Sequence, residues 1–358
     1  MILGTHIALS KLRKAPPHLD QAFTLFPVSI LKPIKGVDPG LASNLETFFQ
    51  LDYPEYELIF SIADASDPAL AVVERAISQN PHVQARVLVG DVPHGLNPKV
   101  NNLIRSYREA RYDLLLISDS NIRVQPAFLK RLVGHLDRSI GMVSAVVAGI
   151  SPRGIGAEVE AAALGTFTAR SMLLAEWAGH TCVIGKCMLF RRSIANRFGG
   201  VRALARYLAE DYMAGEAMKK LGYRVILMND PVEQNLGEAR LSEFWQRHLR
   251  WGRIRKAQNL GAFLGETLLQ AVPTAFLAAI TFGHPAAFFA HLGLWWICDA
   301  LVLSRLSGTR PSLRAWLIRE ALACPLWVVT ALGNTVLWRG KTYTLEPGGL
   351  LKPVRESA

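Results

Sequence analysis

Residues 267–298 contain no formally charged side chain, and this run limits what the chain can fold into more than any other feature of the sequence. A helix that crosses a bilayer needs about 20 apolar residues, so the run is too long for a single crossing. Extended to residue 303, it predicts two membrane helices that turn at residues 283–285. Residues 321–338 form another uncharged run. We therefore predict a membrane-associated helical region over residues 260–345, with two to three hydrophobic segments, rather than a buried helical core.

Composition and charge narrow the classes of protein further. The chain is 50% hydrophobic and only 19% charged, which excludes a disordered or fibrous protein. Its formal net charge of +11 suits nucleic acid, an anionic membrane surface or a phosphate-bearing substrate. Basic residues flank the predicted hairpin on both sides, for example Arg255 and Arg305, and therefore place both of its ends in the cytosol.

Before residue 260, short apolar runs alternate with helical patterns. The predicted strands are residues 28–31, 58–63, 86–89, 114–117, 142–147 and 223–228. The predicted helices are residues 41–49, 69–78, 100–110, 127–136, 157–174, 206–221 and 242–255. This alternation predicts an α/β fold with a doubly wound, mostly parallel sheet.

We assign the α/β domain to residues 27–259. It is preceded by an N-terminal arm, residues 1–26, whose apolar start is either the last turns of a membrane span or a frayed end. A C-terminal tail, residues 346–358, follows the membrane region.

Two aspartates follow predicted strands at the edge where doubly wound sheets bind their ligands. Asp64 comes directly after residues 58–63, and Asp119 comes after residues 114–117. A carboxylate at this edge can bind a ribose hydroxyl or a divalent cation on a diphosphate. Asp also begins turns and caps helices, so that each residue alone is weak evidence and the pair is stronger.

Two further segments could serve a phosphate-bearing substrate. Residues 95–99 form a turn with Gly and Pro that ends at Lys99 before a predicted helix, which suits phosphate but also an ordinary helix start. Glu210 and Asp211 are adjacent in a helical pattern, so that one carboxyl group could be a general base, although a solvated helix face looks the same.

A basic and aromatic stretch precedes the first apolar run. Arg247 and Arg250 are three residues apart, share a helix face and can grip a pyrophosphate. Trp251 can stack on a sugar or lie at a membrane interface. The same residues also fit a basic collar attracted to anionic lipid.

Taken in chain order, these residues resemble the D…D…D…(Q/R)xxRW signature of membrane-bound inverting glycosyltransferases with the GT-A fold. Longer segments are similar to the ceramide glucosyltransferases, glycosyltransferase family 21, namely residues 28–39, 44–49, 51–54 and 97–103. The resemblance covers about residues 27–255. It implies a GT-A type sheet followed by a C-terminal helical membrane region, and the Ala- and Arg-rich composition indicates a bacterial inner-membrane protein.

On the donor side, the resemblance implies that Asp64 binds the uridine part of a UDP-sugar and that Lys99 and Asn102 support this pocket. Asp119 would hold Mg²⁺ or Mn²⁺ on the diphosphate. One departure affects the metal, because Asn121 stands where many GT-A enzymes carry the second carboxylate of a DxD motif.

On the acceptor side, the resemblance implies that Asp211 is the general base that removes the proton of the attacking hydroxyl. Arg247, Arg250 and Trp251 would close over the diphosphate and the acceptor. The resemblance thus implies that the chain is an inverting hexosyltransferase.

The implied reaction moves a sugar, with glucose expected first, from a UDP-sugar to the primary hydroxyl of ceramide and gives a β-glycosylceramide. A hopanoid N-acetylglucosaminyltransferase that uses UDP-N-acetylglucosamine shares much of the pattern and stays open. A non-catalytic basic membrane-binding protein is the alternative of another class, which the complete set of acids disfavours. We expect membrane lipids as partners, no nucleic acid, and a catalytic domain that faces the cytosol.

Overall fold

The computed structural model describes residues 1–13, 25–180, 182–308, 312–338 and 340–354. The predicted arm and tail therefore lie partly outside the described residues. Contacts divide the chain into two compact units. The helical unit consists of Met1–Leu12, Ala148–Leu174 and Leu236–Ala358, and the sheet unit consists of Arg13–Val147 and Ala175–Asn235. The domain limits predicted at residues 26, 259 and 345 stay a prediction.

The strands before residue 240 are mostly short and apolar. They are β1 (Val28–Ile34), β2 (Tyr56–Ile62), β3 (Gln84–Val89), β4 (Leu114–Ile117), β5 (Ile122–Arg123), β6 (Ile140–Ser144), β7 (Val147–Arg153), β8 (Met188–Arg191), β9 (Arg224–Leu227) and β10 (Val232–Glu238). Seven of them form one sheet in the order β3-β2-β1-β4-β8-β6-β9. Strands β1 to β4 pair in parallel, as do β6 and β9, whereas β8 is antiparallel to both of its neighbours.

Helices alternate with these strands along the chain. Those up to residue 258 are α1 (Ile2–Arg13), α2 (Leu41–Phe49), α3 (Ala69–Gln79), α4 (Pro98–Glu109), α5 (Phe128–Val133), α6 (Gly154–Ala163), α7 (Ala169–Trp177), α8 (Arg192–Asn196), α9 (Glu210–Lys220) and α10 (Leu241–Gln258). A π-helical turn, Leu164–Thr168, joins α6 to α7. The predicted fold class is confirmed: an α/β fold with a doubly wound, mostly parallel sheet, followed by apolar C-terminal helices.

Helix α4 shows how burial positions the edge of the sheet. Its residues Val100, Leu103 and Ile104 recur at helical spacing and lie in the same buried core as Leu31 of β1 and Leu115 of β4. Burying these side chains favours one placement of the helix. The first turn of α4 is therefore held beside the carboxyl ends of the central strands.

The C-terminal helices are α11 (Leu260–Gly265), α12 (Ala271–Phe282), α13 (Ala286–Ser307) and α14 (Leu313–Leu332), and a short 3₁₀ turn, Glu266–Leu269, precedes α12. Among the described residues, α13 and α14 are each long and apolar enough to cross a membrane. Residues 260–282 would add a third crossing if their two halves, which are bent by 66°, form one broken span. The turn predicted at residues 283–285 lies between α12 and α13, whereas the number of hydrophobic segments in the membrane stays a prediction.

Other element predictions were wrong or incomplete. The last apolar helix begins at Leu313 and not near residue 321, because charge does not prevent a helix from extending beyond its apolar part. Residues 335–338, which we expected within that run, form strand β11, which pairs with β12 (Lys341–Leu345), itself paired with β13 (Leu351–Pro353). Strands β5, β7, β8 and β10 were not predicted. β5 and β8 have only two and four residues, and β10 and the end of β7 lack a continuous apolar run.

Candidate active site

The two aspartates predicted at the sheet edge follow parallel strands on either side of β1. Asp64 lies two residues beyond the end of β2, and Asp119 lies two residues beyond the end of β4. Because β2, β1 and β4 are adjacent and parallel, their carboxyl ends share one edge of the sheet. Both carboxylates therefore belong to the edge where this type of fold binds ligands.

Lys99 is the centre of a cluster at this edge. Its Nζ lies 2.9 Å from Asp119 Oδ1 and 2.9 Å from Glu210 Oε1, and it donates to the Gly185 carbonyl at 3.1 Å. Burial alone would lower the pKa of Lys99, but the carboxylates of Asp119, Glu210 and Asp211 together raise it well above its usual range. Lys99 is thus a permanent positive charge that ties α4 to the end of β4 and to the start of α9.

Local sequence explains why Lys99 is placed here. Asn97 caps α4, because its side-chain oxygen accepts from the backbone N–H groups of Lys99 at 2.9 Å and Val100 at 3.1 Å. Pro98 occupies the first turn, where a missing N–H costs nothing. The Asn97 amide also donates to Glu210 Oε2 at 3.1 Å, so that one side chain both starts the helix and orients an acid of the site.

Asp211 has the protonation behaviour expected of a base. Its Oδ2 accepts from the backbone N–H of Gly185 at 2.7 Å, and its Oδ1 accepts from that of Tyr212 at 2.8 Å. Burial and the neighbouring charge of Glu210 raise the pKa of Asp211 to about 6, against the opposing effect of Lys99. The carboxylate is therefore mostly ionised at neutral pH and yet a better proton acceptor than an ordinary aspartate.

The backbone of Gly185 packs closely against Lys99 and Asp211. A side-chain Cβ at this position would lie 2.7 Å from Lys99 Nζ and 3.2 Å from Asp211 Oδ2. Because glycine has no Cβ, the backbone here approaches both groups without displacing either, with its N–H on the base and its carbonyl on the lysine.

Lys186 was missed by the sequence analysis. Its Nζ lies 3.5 Å from Asp119 Oδ2 and donates to Asn121 Oδ1 at 3.3 Å, so that a second ammonium group faces the D-S-N segment. Burial alone would raise the pKa of Asp119, but Lys99 and Lys186 hold it below its usual range. Sequence analysis could not place Lys186 at the site, because it precedes β8, a strand that the sequence pattern did not predict.

A third lysine lies deeper. Lys32 of β1 is fully buried, donates to the Asp119 carbonyl at 2.9 Å and has its Nζ 3.5 Å from the centre of the Phe48 ring. Burial lowers the pKa of Lys32 to about 7, although Asp119 opposes this shift. A lysine inside an apolar strand is a signal that sequence analysis could have used, because an unpaired ammonium group is rarely buried.

Asp64 and Asn102, which we predicted to bind the donor, have their hydrogen-bond partners outside the lysine cluster. Asp64 is exposed, and its Oδ1 accepts from the backbone N–H and the hydroxyl of Ser66, both at 2.8 Å. Asn102 is buried, and its amide donates to the carbonyl of Ser61 at 2.8 Å and to that of Ile34 at 3.4 Å. Asn102 thus fastens α4 to the ends of β1 and β2, and a UDP-sugar role for either residue stays a prediction.

The basic and aromatic stretch lies on α10, in the helical unit. Arg247 Nη1 lies 3.3 Å from Oε1 of Glu160, a buried acid of α6, and His248 Nε2 lies 3.0 Å from Glu160 Oε2. Burial alone would raise the pKa of Glu160, but His248 and Arg247 hold it below its usual range. The Trp251 ring packs 5.1 Å from the His248 ring, and Arg250 also has an interaction partner. Sequence reasoning missed Glu160, which holds this face of α10 in place.

The metal prediction rests on two oxygens of the sheet unit. No group of three or more His, Cys, Asp or Glu side chains converges among the described residues. Asp119 Oδ2 and Asn121 Oδ1 do converge on one cation, because the Lys186 ammonium lies within 3.5 Å of both. Mg²⁺ is commonly held by one or two carboxylates with phosphates and water as its other ligands, so that this pair fits a cation that arrives with a diphosphate.

Comparison with known proteins gives a consistent result. The model of the family described as Glycosyl transferase family 21 matches residues 2–351. Ceramide glucosyltransferase 1 of Caenorhabditis elegans is 31% identical over 354 residues, which cover 93% of this chain and 75% of that protein. Ceramide glucosyltransferase of Komagataella phaffii is 29% identical over 422 residues, which cover 89% of this chain and 82% of that protein.

A solved structure gives a looser match. Mannosyltransferase PcManGT from Pyrobaculum calidifontis, in complex with GDP-Man and Mn²⁺, superimposes with a TM-score of 0.49 and 18% identity, over 92% of this chain and 93% of that chain. At this level of similarity, the match adds nothing about the chemistry of the site.

Proposed function

Because this chain belongs to glycosyltransferase family 21, we propose that it transfers glucose from UDP-glucose to the primary hydroxyl of ceramide with inversion at the anomeric carbon. The match of the family model to residues 2–351 carries the class of reaction. The names of the relatives supply the donor sugar and the lipid acceptor. The chain is a glycosyltransferase, and the geometry of the sheet unit supports a base-assisted single displacement.

Asp211 is the proposed general base. Its carboxylate takes the proton of the ceramide hydroxyl while that oxygen attacks the anomeric carbon from the face opposite UDP. The new C–O bond forms as the bond to the diphosphate breaks, and UDP leaves with its electron pair. The backbone N–H groups of Gly185 and Tyr212 each donate to one oxygen of this carboxylate and so fix its orientation toward the acceptor.

The lysines and the proposed metal serve the leaving group. Negative charge develops on the departing diphosphate, and preformed positive charge stabilises it. Lys99 and Lys186 supply two ammonium groups at the edge of the sheet. A divalent cation, Mg²⁺ or Mn²⁺, would be held by Asp119 and Asn121 and would add Lewis-acid neutralisation of the diphosphate when bound.

Removing divalent cations tests the metal role. We expect a chelator to slow sugar transfer about tenfold or more. It removes the divalent cation that would be held by Asp119 and Asn121 and would neutralise the departing diphosphate. The measurement is the initial rate with and without excess chelator, with rescue by added Mg²⁺ or Mn²⁺ as the control. An unchanged rate in chelator would show that the lysines suffice.

The membrane placement is also proposed. Helices α13 and α14 would cross the bilayer, and the exposed apolar side chains of α13, such as Phe289, Ile297 and Leu301, would face lipid. The sheet unit would face the cytosol, where UDP-sugars are made. A bacterial inner membrane stays a prediction, as do the roles of Arg247, Arg250 and Trp251 toward the diphosphate and acceptor.

The deciding experiment is an assay of purified membranes with ceramide or a hopanoid as the acceptor and one labelled donor at a time. The donors are UDP-glucose, UDP-galactose, UDP-glucuronate and UDP-N-acetylglucosamine, and the lipid phase is analysed for product. Lipid-linked glucose that disappears in Asp211→Asn membranes is the expected result. Transfer of N-acetylglucosamine to a hopanoid, with no product from ceramide, would contradict the proposal and select the alternative acceptor.

A further inference from the structure

The antiparallel pairing of β8 with β4 brings Lys186 to the end of β4. Met188 of β8 pairs with Ile117 of β4. Because the two strands run in opposite directions, the residue two positions before Met188 lies opposite the residue two positions after Ile117. These residues are Lys186 and Asp119, and the Lys186 Nζ lies 3.5 Å from Asp119 Oδ2. The register of one strand pair therefore sets a lysine against the acid that is proposed to hold the metal.

The Lys186 ammonium group stands at the position that the proposed metal would take. Its Nζ lies near Asp119 Oδ2 and donates to Asn121 Oδ1 at 3.3 Å, and these are the two oxygens assigned to the cation. A divalent cation that is bound directly by both oxygens lies closer to each of them than an ammonium group does. The two cations cannot share this position, so that Lys186 must leave it before a metal enters.

Two ammonium groups share Asp119, and their contacts differ. Lys99 Nζ lies 2.9 Å from Asp119 Oδ1 and also 2.9 Å from Glu210 Oε1. The contacts of Lys186 with Asp119 and Asn121 are longer, and one of them is to an uncharged amide. A longer distance and an uncharged partner both give less Coulomb energy. Lys186 is therefore the cation that gives way, while Lys99 keeps its place between two acids.

The charge at this position disfavours a divalent cation that arrives alone. Asp119 is the one carboxylate within residues 119–121, and it already pairs with Lys99 and Lys186. Two nearby ammonium groups repel a further cation. A nucleoside diphosphate reverses this balance, because its oxygens are negatively charged, act as additional metal ligands and offer a lysine a new partner.

We propose that Lys186 is an exchangeable counter-ion. Its ammonium group occupies the cation position between Asp119 and Asn121 until a nucleoside diphosphate arrives with a divalent cation, and it then pairs with the diphosphate. The ammonium group of a lysine is carried on a flexible four-carbon stem, so that it can move while the backbone before β8 stays in place. The inference deepens the proposed function and rests on its metal site, because it makes tight binding of the metal depend on the nucleotide.

The test measures binding by the full chain and needs no sugar transfer. In nanodiscs of uncharged lipid, Mn²⁺ is titrated without nucleotide, and free Mn²⁺ is followed by electron paramagnetic resonance. The affinity for UDP is measured by calorimetry, once with excess Mn²⁺ and once with a chelator. Lys186→Met removes the charge, and Lys186→Arg keeps it. Lys130→Met is the matched control, because it removes a lysine from an ion pair with the exposed Asp52 in the same unit.

We expect Lys186→Met to tighten the binding of Mn²⁺ without nucleotide about tenfold or more, because the competing cation is gone. Adding Asp119→Asn to this variant should abolish the gain. The factor by which Mn²⁺ improves UDP binding should shrink about threefold or more in Lys186→Met, since the metal no longer needs the nucleotide to draw the lysine away. Lys186→Arg and Lys130→Met should bind Mn²⁺ within about threefold of the wild type. A lysine with a structural role alone would weaken metal binding when lost.

The outcomes separate this inference from the proposed function. Unchanged or weaker Mn²⁺ binding by Lys186→Met, with UDP binding that still depends on Mn²⁺ and on Asp119, would overturn the exchange and leave the proposed metal site standing. UDP binding by the wild type that is indifferent to Mn²⁺ would refute the metal site and the exchange together, while the ceramide assay decides the reaction separately. Thermal unfolding identifies a variant that fails to fold, and Lys186→Gln replaces Lys186→Met in that case.

Discussion

Charged groups are buried in both units, but they are arranged in opposite ways. In the sheet unit, Lys99 contacts two carboxylates, is 15% exposed on its side chain, and lies beside Asp211, whose pKa is raised to about 6. In the helical unit, Arg170 and Asp299 pair with side chains that are 2% and 0% exposed, and Trp316 Nε1 donates to Asp299 Oδ2 at 2.8 Å. The first cluster has accessible groups with unequal proton affinities, whereas the second is closed and fully paired.

This difference separates chemistry from structure. An accessible cluster in which one acid has a pKa close to neutral pH can exchange a proton with a substrate. A closed pair between α7 and α13, with a third bond from α14, exchanges nothing and fixes the three helices to one another. Loss of one partner should therefore affect activity in the sheet unit and stability in the helical unit.

The largest effect is expected for the proposed base. Asp211→Asn keeps the size of the side chain but cannot take a proton, so that kcat should fall about 10³-fold with a little-changed KM for the UDP-sugar. The matched control is Glu216→Gln on the same helix, which should stay within about twofold of the wild type. A similar kcat for both variants would assign the base elsewhere.

The buried pair of the helical unit should give the largest effect on stability. Arg170→Met leaves Asp299 as an uncompensated buried charge, and we expect a loss of about 3–5 kcal/mol in the free energy of unfolding. Thermal unfolding in detergent measures it. Adding Asp299→Asn to the first variant should restore much of the loss, because neither charge then remains buried.

A surface ion pair provides the comparison for this experiment. Arg314, 68% exposed, lies 3.1 Å from Glu158, and its removal in Arg314→Met should cost about 1 kcal/mol or less. Equal losses for Arg170→Met and Arg314→Met would show that the buried pair does not hold the helices.

Gly185→Ala should give a smaller effect, confined to activity. The added Cβ would lie 2.7 Å from Lys99 Nζ, and the flexible lysine can move away without unfolding the chain. Displacing Lys99 from the site should lower kcat/KM about 10- to 100-fold with little change in the melting temperature. Gly261→Ala, where the nearest atom would be 3.6 Å away, is the control, and a lowered melting temperature for Gly185→Ala alone would point to a structural role.

The smallest expected change is a shift of the pH profile. Since the base acts in its ionised form and its pKa is about 6, kcat/KM should fall as the pH drops below about 6. Glu210 raises the pKa of Asp211, so Glu210→Gln should lower it and move the acid limb to lower pH. The profile is measured from pH 5 to 8, and an acid limb that moves to higher pH would contradict the assigned interaction.

The sequence predicted the positions of some site residues and missed others. Asp64 and Asp119 were placed correctly at strand ends because parallel strands bring all such ends to one edge. Lys186 and Gly185 were missed, since both precede β8, whose four residues have no distinctive period and which enters the sheet antiparallel. Glu160 was missed because an acid in a helical pattern is normally solvated, and only packing against α10 buries it.

The sequence by itself determined the α/β pattern, the apolar C-terminal segments and the family, because periodicity, run length and ordered motifs are local properties of the chain. Tertiary structure alone decided which charges meet. Lys99, Gly185 and Asp211 come from three separate parts of the chain, and their distances follow from how α4, β8 and α9 pack on one sheet. The raised pKa of Asp211 arises from burial and from the charge of Glu210, and burial depends on every neighbour at once, so that no single segment of the sequence predicts it.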